Sequence, residues 1–512
     1  MKPADREPKP FIRVREVISS TPWGGWVKES MPLELRRKLF MVFWPESRLR
    51  RHLEMLKAFG FNSIQTGANP CSAWWAGADA AELRQRHAFV SRTAREMGMS
   101  VSVFIWGAAV PDATKDGQQF SELDWHKPED RARLEAWYRD QAASAPYADR
   151  VITHWIDPGY PQEGGIDTVV KMHNAIVAIY RAQNPRIRGA LSAWFMDSFS
   201  GRRYPGYTDE GVLAAHSALD RESGVVLGRF NYSCDGENTV DGNLGTTLAD
   251  RESRVSGAIL DAIAASDRQA GIWGWYTADN EINPALHVRT TVMQNYFRNL
   301  PPQTRTKLAW HSLDDNFQGL NMQNLYVAGK LMQDPSLDAR QLLEEFVHGF
   351  VGAANTPAVT AALRAVEQAR TRSLLYNAKV EDALAPEGAT KGTPLPPSWL
   401  DDTARAVDAA IAGLKTVELA PEFKTAWPVT MEPAEYLPEL AAHLEAIRQM
   451  LAFLKGVREV ERLQAGGASA GRLEAAIAAL PKVVYDPTYT AGMEAAIYTQ
   501  KLAALKMAVG LK

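Results

Sequence analysis

The sequence predicts an α/β protein, a (β/α)8 TIM barrel followed by a C-terminal α-helical domain, and three observations carry that prediction. Over residues 11 to about 335, eight short β-branched or aromatic runs alternate with longer amphipathic stretches. Strands alternating with helices in this way imply parallel βαβ units, and eight units imply closure rather than an open sheet. Beyond residue 335 the strand-like runs cease, and Ala, Leu and Glu dominate. The 512 residues accommodate both parts, because a barrel takes roughly 250 residues as one domain. The expected division is 1–335 for the barrel and 336–512 for the helical domain.

The expected strands are Phe11–Ile18, Phe61–Thr66, Ser100–Trp106, Arg150–Ile156, Ala190–Phe195, Val225–Phe230, Ala270–Tyr276 and Lys307–His311. The first is a choice, since Phe40-Met41-Val42-Phe43-Trp44 has strand character too. Starting at Phe11 leaves Trp23-Gly24-Gly25-Trp26 as a loop at the catalytic face. Leu49, Leu53, Leu56 and Phe59 recur at spacings of 4, 3 and 3, the mark of one buried helical stripe. Further helices are expected over 79–97, 128–144, 166–183, 208–219, 250–267, 285–299 and 321–333. In the C-terminal part Leu437, Leu440, Leu444, Ile447, Leu451 and Leu454 alternate spacings of 3 and 4, a bundle-type seam. Prolines from Pro386 to Pro397 and at Pro421, Pro428 and Pro433 interrupt the helices.

Composition narrows the function classes. With 46% hydrophobic and 23% charged residues the chain folds rather than staying disordered. The 57 basic and 60 acidic residues nearly cancel, leaving −3, which argues against a nucleic-acid partner. Cys71 and Cys234 can form at most one disulfide and no Cys-rich zinc site. No uncharged apolar run approaches the ~18–20 residues of a membrane span. The charged start, Met1 to Pro10, does not read as a signal peptide. The expected protein is soluble and cytoplasmic as given, or periplasmic or secreted if a leader was removed. Phosphate-loop, GxSxG and HExxH patterns are missing from suitable places, so no cofactor or metal is expected. The apolar helical region leaves a homodimer as one arrangement.

In a barrel the carboxyl ends of the strands build the site. Past the fourth strand come His154, Trp155, Asp157 and Glu163, and past the fifth Trp194 and Asp197. The sixth gives Arg229, Tyr232, Asp235 and Glu237, and the seventh Trp275, Tyr276, Asp279, Asn280 and Glu281. The eighth gives Trp310, His311 and Asp314. Of 15 tryptophans, 13 lie at or before residue 310, so the aromatics belong to the barrel. Aromatic faces stack on sugar rings, and glycoside hydrolysis needs one protonated and one ionised carboxyl group. Taken singly, Asp197 and Asp235 read equally as helix caps, and Trp194 and Trp273 as barrel filling. Clustering on one rim favours carbohydrate chemistry. His154 with Asp157, and His311 with Asp314, read better as partners of sugar hydroxyls than as a metal site. Arg13, Arg15, Arg202, Arg203 and Arg229 would either bind a substrate carboxylate or pair with rim acids.

The barrel resembles the glycoside hydrolases grouped around the family 20 and 84 hexosaminidases and the family 67 and 115 α-glucuronidases. The sharpest stretch is Asn324 to Asp338, leading through Leu342-Leu343-Glu344-Glu345-Phe346 to Phe350-Val351-Gly352-Ala353-Ala354. It looks like the junction between barrel and helical domain in bacterial proteins carrying the domain of unknown function 4838. The resemblance implies a general acid after the fourth strand, here Asp157 with Glu163 as understudy. It also implies water-activating acids from later strands, here Asp279, Glu281 or Asp314. Asp157 is followed by Pro158, so the Asp-Glu pair of family 20 is not present. The expected protein is an exo-acting glycoside hydrolase cleaving a terminal sugar, with a uronic acid one candidate. Asp157 is its acid, and Asp279, Glu281 or Glu237 its base or nucleophile. His154, Trp155, Arg229, Tyr232, Trp275, Tyr276, Asn280, Trp310, His311 and Asp314 would form the sugar subsite. The alternatives are a β-N-acetylhexosaminidase-like enzyme, a carbohydrate-binding barrel without catalysis, and a metal-dependent barrel enzyme.

Overall fold

A computed structural model describes residues 11–18, 33, 34, 37, 41–66, 80–111, 120–155, 165–192, 218–227, 265, 269–274, 286, 288–299, 308–314, 320–369, 398–481, 502, 503 and 505–507. In chain order the strands are β1 (Val14–Ile18), β2 (Ser63–Thr66), β3 (Ser100–Trp106), β4 (Ala109–Pro111), β5 (Phe120–Glu122), β6 (Arg150–His154), β7 (Arg188–Ser192), β8 (Gly224–Leu227), β9 (Ala270–Gly274) and β10 (Leu308–Asp314). All but β4 and β5 pair in parallel with two neighbours each, in the order β1-β2-β3-β6-β7-β8-β9-β10 and back to β1. The sheet therefore closes on itself. Among the described residues, helices follow six of the eight barrel strands: α1 (Glu46–Phe59), α2 (Ala80–Glu96), α3 (Pro128–Ala143), α4 (Gly165–Gln183), α5 (Thr290–Asn299) and α6 (Met322–Gln333). The stretches expected to be helical after β7 and β8, 208–219 and 250–267, lie largely outside the described residues.

The choice of Val14–Ile18 within the first apolar run agrees with the fold. Its rival, Met41–Phe43, is a single 3-10 turn leading into α1 through Pro45, and proline favours a helix start over strand continuation. The antiparallel hairpin of β4 and β5 was not expected. Its arms are three residues each, too short for periodicity to register.

Strand alternation sorts side chains into an interior and an exterior set. Glu16 is fully buried inside the barrel, where its carboxylate accepts from Ser63 Oγ at 2.7 Å and from Ser102 Oγ two strands away. Arg150 Nη1 donates to the same Ser102 hydroxyl at 3.2 Å. On the exterior set, Thr66 hydrogen-bonds His87 of α2 and Thr153 hydrogen-bonds His173 of α4, each at 2.7 Å. The helix layer is thus tied to the sheet by buried Thr–His pairs as well as by apolar packing. Arg13 and Arg15 correct an expectation. They lie at the amino end of β1, opposite the rim, and Arg15 is spent on the carbonyls of Gly60 and of Ile12, the latter at 2.8 Å.

After α6 come α7 (Ala339–Val351), α8 (Thr356–Gln368), α9 (Trp399–Leu414), α10 (Pro433–Ala465) and α11 (Ala470–Ala478). The seam read from the sequence lies on α10, where Leu440, Leu444, Ile447, Leu451 and Leu454 are buried. One continuous apolar core runs from the barrel into these helices. α6 joins the two, with ten of its twelve residues buried. Its Tyr326 ring meets Phe59 of α1 at 5.2 Å, Phe346 of α7 at 5.7 Å and Trp427 at 5.0 Å. Gly329 lies so close to α1 that a Cβ there would stand 2.2 Å from the Phe59 carbonyl oxygen. Among the described residues no helix is long and apolar enough to cross a membrane.

Candidate active site at the strand carboxyl ends

Parallel closure brings Ile18, Thr66, Trp106, His154, Ser192, Leu227, Gly274 and Asp314, the last residues of the eight strands, to one end of the barrel. This rim is where a (β/α)8 protein does chemistry. At the end of β6, His154 is 2% exposed, with Nδ1 3.0 Å from Ser192 Oγ at the end of β7. Its ring tilts against Phe104 at 5.0 Å. Burial pushes the His154 imidazolium down to about 3, so the ring is neutral near pH 7. A neutral, enclosed imidazole hydrogen-bonds but does not act as a cationic acid. His154 therefore belongs to the layer that braces the rim from below.

Beyond Trp106 the β3–β6 ladder continues by one rung, Gly107 N–H donating to the His154 carbonyl at 2.9 Å. Tyr138 of α3 donates to the Gly107 carbonyl, and Leu123 N–H donates to the Ala108 carbonyl at 2.8 Å. These bonds seat the β4–β5 hairpin beside the end of β6. Gly107 is required here, because a Cβ would fall 1.9 Å from the Trp155 ring. Trp155 itself corrects an expectation. It is fully buried, its indole N–H donates to Thr153 Oγ1 at 3.1 Å, and it fills space behind the strand end without offering a face to a sugar.

On β10 the register pairs Trp310 with Val14, Ser312 with Glu16 and Asp314 with Ile18. Trp310 and Asp314 share the alternate positions of Ser312, the partner of interior Glu16, and Asp314 ends the strand at the rim. His311 pairs with Arg15 and holds the opposite set of positions. The expected residues Asp157, Glu237, Asp279, Glu281, Arg229, Tyr232, Trp275, Tyr276 and Asn280 lie outside the described residues. Sequence reading missed the interior group of Glu16, Ser63, Ser102 and Arg150. The available signal was the charge inside Val14-Arg15-Glu16-Val17-Ile18, where Glu16 alternates in phase with Val14 and Ile18. A separate cleft of about 1100 Å3 uses the exposed face of α1, with Arg51, Glu54, Trp427 and Glu432 on its walls. Arg51 pairs there with Glu432, and the buried face of α1 separates this cleft from the barrel. Among the described residues no group of three or more His, Cys, Asp or Glu side chains is disposed to hold a metal ion.

A closed parallel barrel continuous with a helical region is a specific architecture, and solved structures share it. Solved glycoside hydrolases are among the structures that share this fold. A family GH138 enzyme targeting pectin rhamnogalacturonan II superimposes with a TM-score of 0.60 at 10% identity, over 98% of this chain and 78% of its own. A mutant O-GlcNAc hydrolase from Thermobaculum terrenum gives 0.51 at 11% identity, over 97% and 94%. A family GH115 4-O-methyl-α-glucuronidase with specificity for decorated arabinogalactans gives 0.50 at 10%, over 98% and 59%. No protein-family model and no curated protein matches the sequence. The likeness of Asn324–Ala354 to a domain-4838 junction thus rests on residue order alone.

Proposed function

We propose that the chain is an exo-acting glycoside hydrolase that removes a terminal sugar by carboxylate acid–base catalysis. In this reading residues 1–335 form the catalytic barrel and 336–512 a helical domain packed on it. The observation that carries it is closure of the parallel sheet, which gathers the ends of β6, β8 and β9 on one rim. Asp157 follows His154 by three residues, Glu237 follows Leu227 by ten and Asp279 follows Gly274 by five. Asp157 donates the proton to the leaving oxygen, and Asp279, Glu281 or Glu237 acts as base or nucleophile. Tyr232, Trp275, Tyr276 and Trp310 supply stacking faces, and Arg229, Asn280 and Asp314 bond the hydroxyls or a substrate carboxylate. Fold likeness over nearly the whole chain supports the class of reaction. It also keeps uronic and N-acetylated sugars among the substrates to test.

The test is a panel of aryl glycosides including uronic, sialic and N-acetylated sugars, read by aryl release. Asp157→Asn and Asp279→Asn should each lower kcat about 10²–10⁴-fold on the substrate found. Full activity in both variants would refute the assignment. Once the pair is known, a carboxyl separation of about 5–5.5 Å calls for retention and about 6.5–9.5 Å for inversion.

A further inference from the structure

The end of the barrel opposite the rim carries positive charge that the fold leaves unbalanced. Parallel closure gathers the first residues of the strands there, Val14, Arg150 and Arg188 among them. Arg150 and Arg188 start β6 and β7, pair with each other in register, and share the interior set with Ser102. Arg13 immediately precedes β1, which stands four strands from β7 in the ring of eight, so the arginines come from opposite walls. They nevertheless sense one another. Burial lowers the Arg150 pKa, the Arg188 and Arg13 charges add to that effect, and Glu16 and Asp149 oppose it. Asp149 is already taken, since both its oxygens accept from Arg95 Nη1 at 2.8 Å and one also from Val101 N–H at 2.9 Å. Asp220 and Glu222, just before β8, are held by Arg181 at 2.7 and 3.2 Å. Among the described acids acting on Arg150, that leaves Glu16 alone against three arginines.

Like charges set side by side across a ladder destabilise a sheet. Arg150 is half-buried, and its Nη1 donates to the Ser102 hydroxyl that also bonds Glu16, so these two opposite charges offset each other. Arg13 and Arg188 are exposed, and among the described residues their guanidinium groups have no hydrogen-bond or ion-pair partner. Their planar forks present paired N–H donors of the geometry that oxyanions accept. We propose that the amino-terminal mouth of the barrel binds a divalent oxyanion, sulfate or phosphate, between Arg13, Arg150 and Arg188. Two negative charges match the two positive charges left over once Glu16 offsets Arg150, whereas a monovalent ion matches only one. The mouth lies at the far end of the strands from the rim, so the site takes no part in the chemistry proposed above and stands independently of it.

The experiment titrates the full-length protein with sodium sulfate, sodium phosphate and sodium chloride in a low-salt zwitterionic buffer at pH 8, read by calorimetry and by Tm at equal ionic strength. Sulfate and phosphate should each bind one per chain with a Kd of about 1 mM, the affinity a few charge-assisted contacts support, and at least about tenfold more tightly than chloride. Arg188→Gln and Arg13→Gln, both at exposed positions, should each weaken sulfate about tenfold. Arg364→Gln, on α8 and far from the mouth, should leave the Kd unchanged. The second readout has a sign that a structural arginine does not give. Without sulfate, Arg188→Gln should raise Tm by relieving the repulsion from Arg150, and with sulfate it should lose the rise that the wild type shows. Absence of saturable binding below about 10 mM overturns the proposal, as does chloride matching sulfate, or an unchanged Kd in both variants. A lower Tm for Arg188→Gln in the sulfate-free buffer overturns it too, since the arginine would then be serving the fold. Should Arg188→Gln not fold, Arg13→Gln decides on the same two readouts.

Discussion

Acidification from pH 7 to pH 5 should remove most of the stability of this protein through four buried histidines. Burial pushes His52 and His154 down to about 3, and His87 and His443 down to about 4. For His52 the Arg48 charge adds to burial. All four are neutral in the folded chain, whereas in the unfolded chain each titrates near ~6.5. Between those values only the unfolded state takes up protons, so stability is full above about pH 6.5 and falls as pH drops toward 4. At pH 5 each group costs about 2 kcal/mol, or about 8 kcal/mol together if they act independently. Ordinary domains have only about 5–15 kcal/mol in total. Urea midpoints at pH 7, 6 and 5 measure the loss, and between pH 6 and 5 the slope should approach four protons taken up on unfolding. Replacing His87 with Gln removes one titrating group and should flatten that slope by about a quarter. A midpoint that stays level to pH 5, or ring signals titrating at ordinary histidine values, would refute the reasoning.

Three substitutions test the close approaches. Gly107→Ala drives a Cβ into the Trp155 ring and should lower stability by about 3 kcal/mol, seen as a depressed Tm. Gly329→Ala meets the Phe59 backbone rather than a movable side chain, so by the same measure its loss should be at least about 3 kcal/mol. Gly471, in the first turn of α11, has nothing within 4 Å of where a Cβ would stand, and Gly471→Ala should be neutral or stabilising by up to about 1 kcal/mol.

The barrel was legible because its signals are local. β3 matches its expected limits, Ser100–Trp106, since Val101, Val103, Phe104, Ile105 and Trp106, with two serines among them, stand between Gly98-Met99 and Gly107. β7 starts two residues earlier than expected and β10 ends three later, because pairing partners set strand ends and a single strand does not contain them. The α10 seam was readable from its 3–4 spacing for the same reason that α1 was. The site was readable only as a set of positions past strand ends. The long-range polar contacts were hidden, since the His154–Ser192 contact joins residues 38 apart and the Leu286–His443 bond joins residues 157 apart. Nor did aromatic character alone tell Trp155, sealed behind β6, from a residue facing a substrate.

Helix α6 packs against α1 on one side and seats α7 on the other, and ten of its twelve residues are buried. A molecule built this way has no seam along which to cut it. A fragment ending at residue 335 would keep the helix but strip Phe346 and Trp427 from Tyr326, turning a shared wall into a sticky outer surface. Moving the barrel onto another helical partner would require that partner to reproduce the Phe346 and Trp427 contacts to Tyr326, so the two parts are best engineered together.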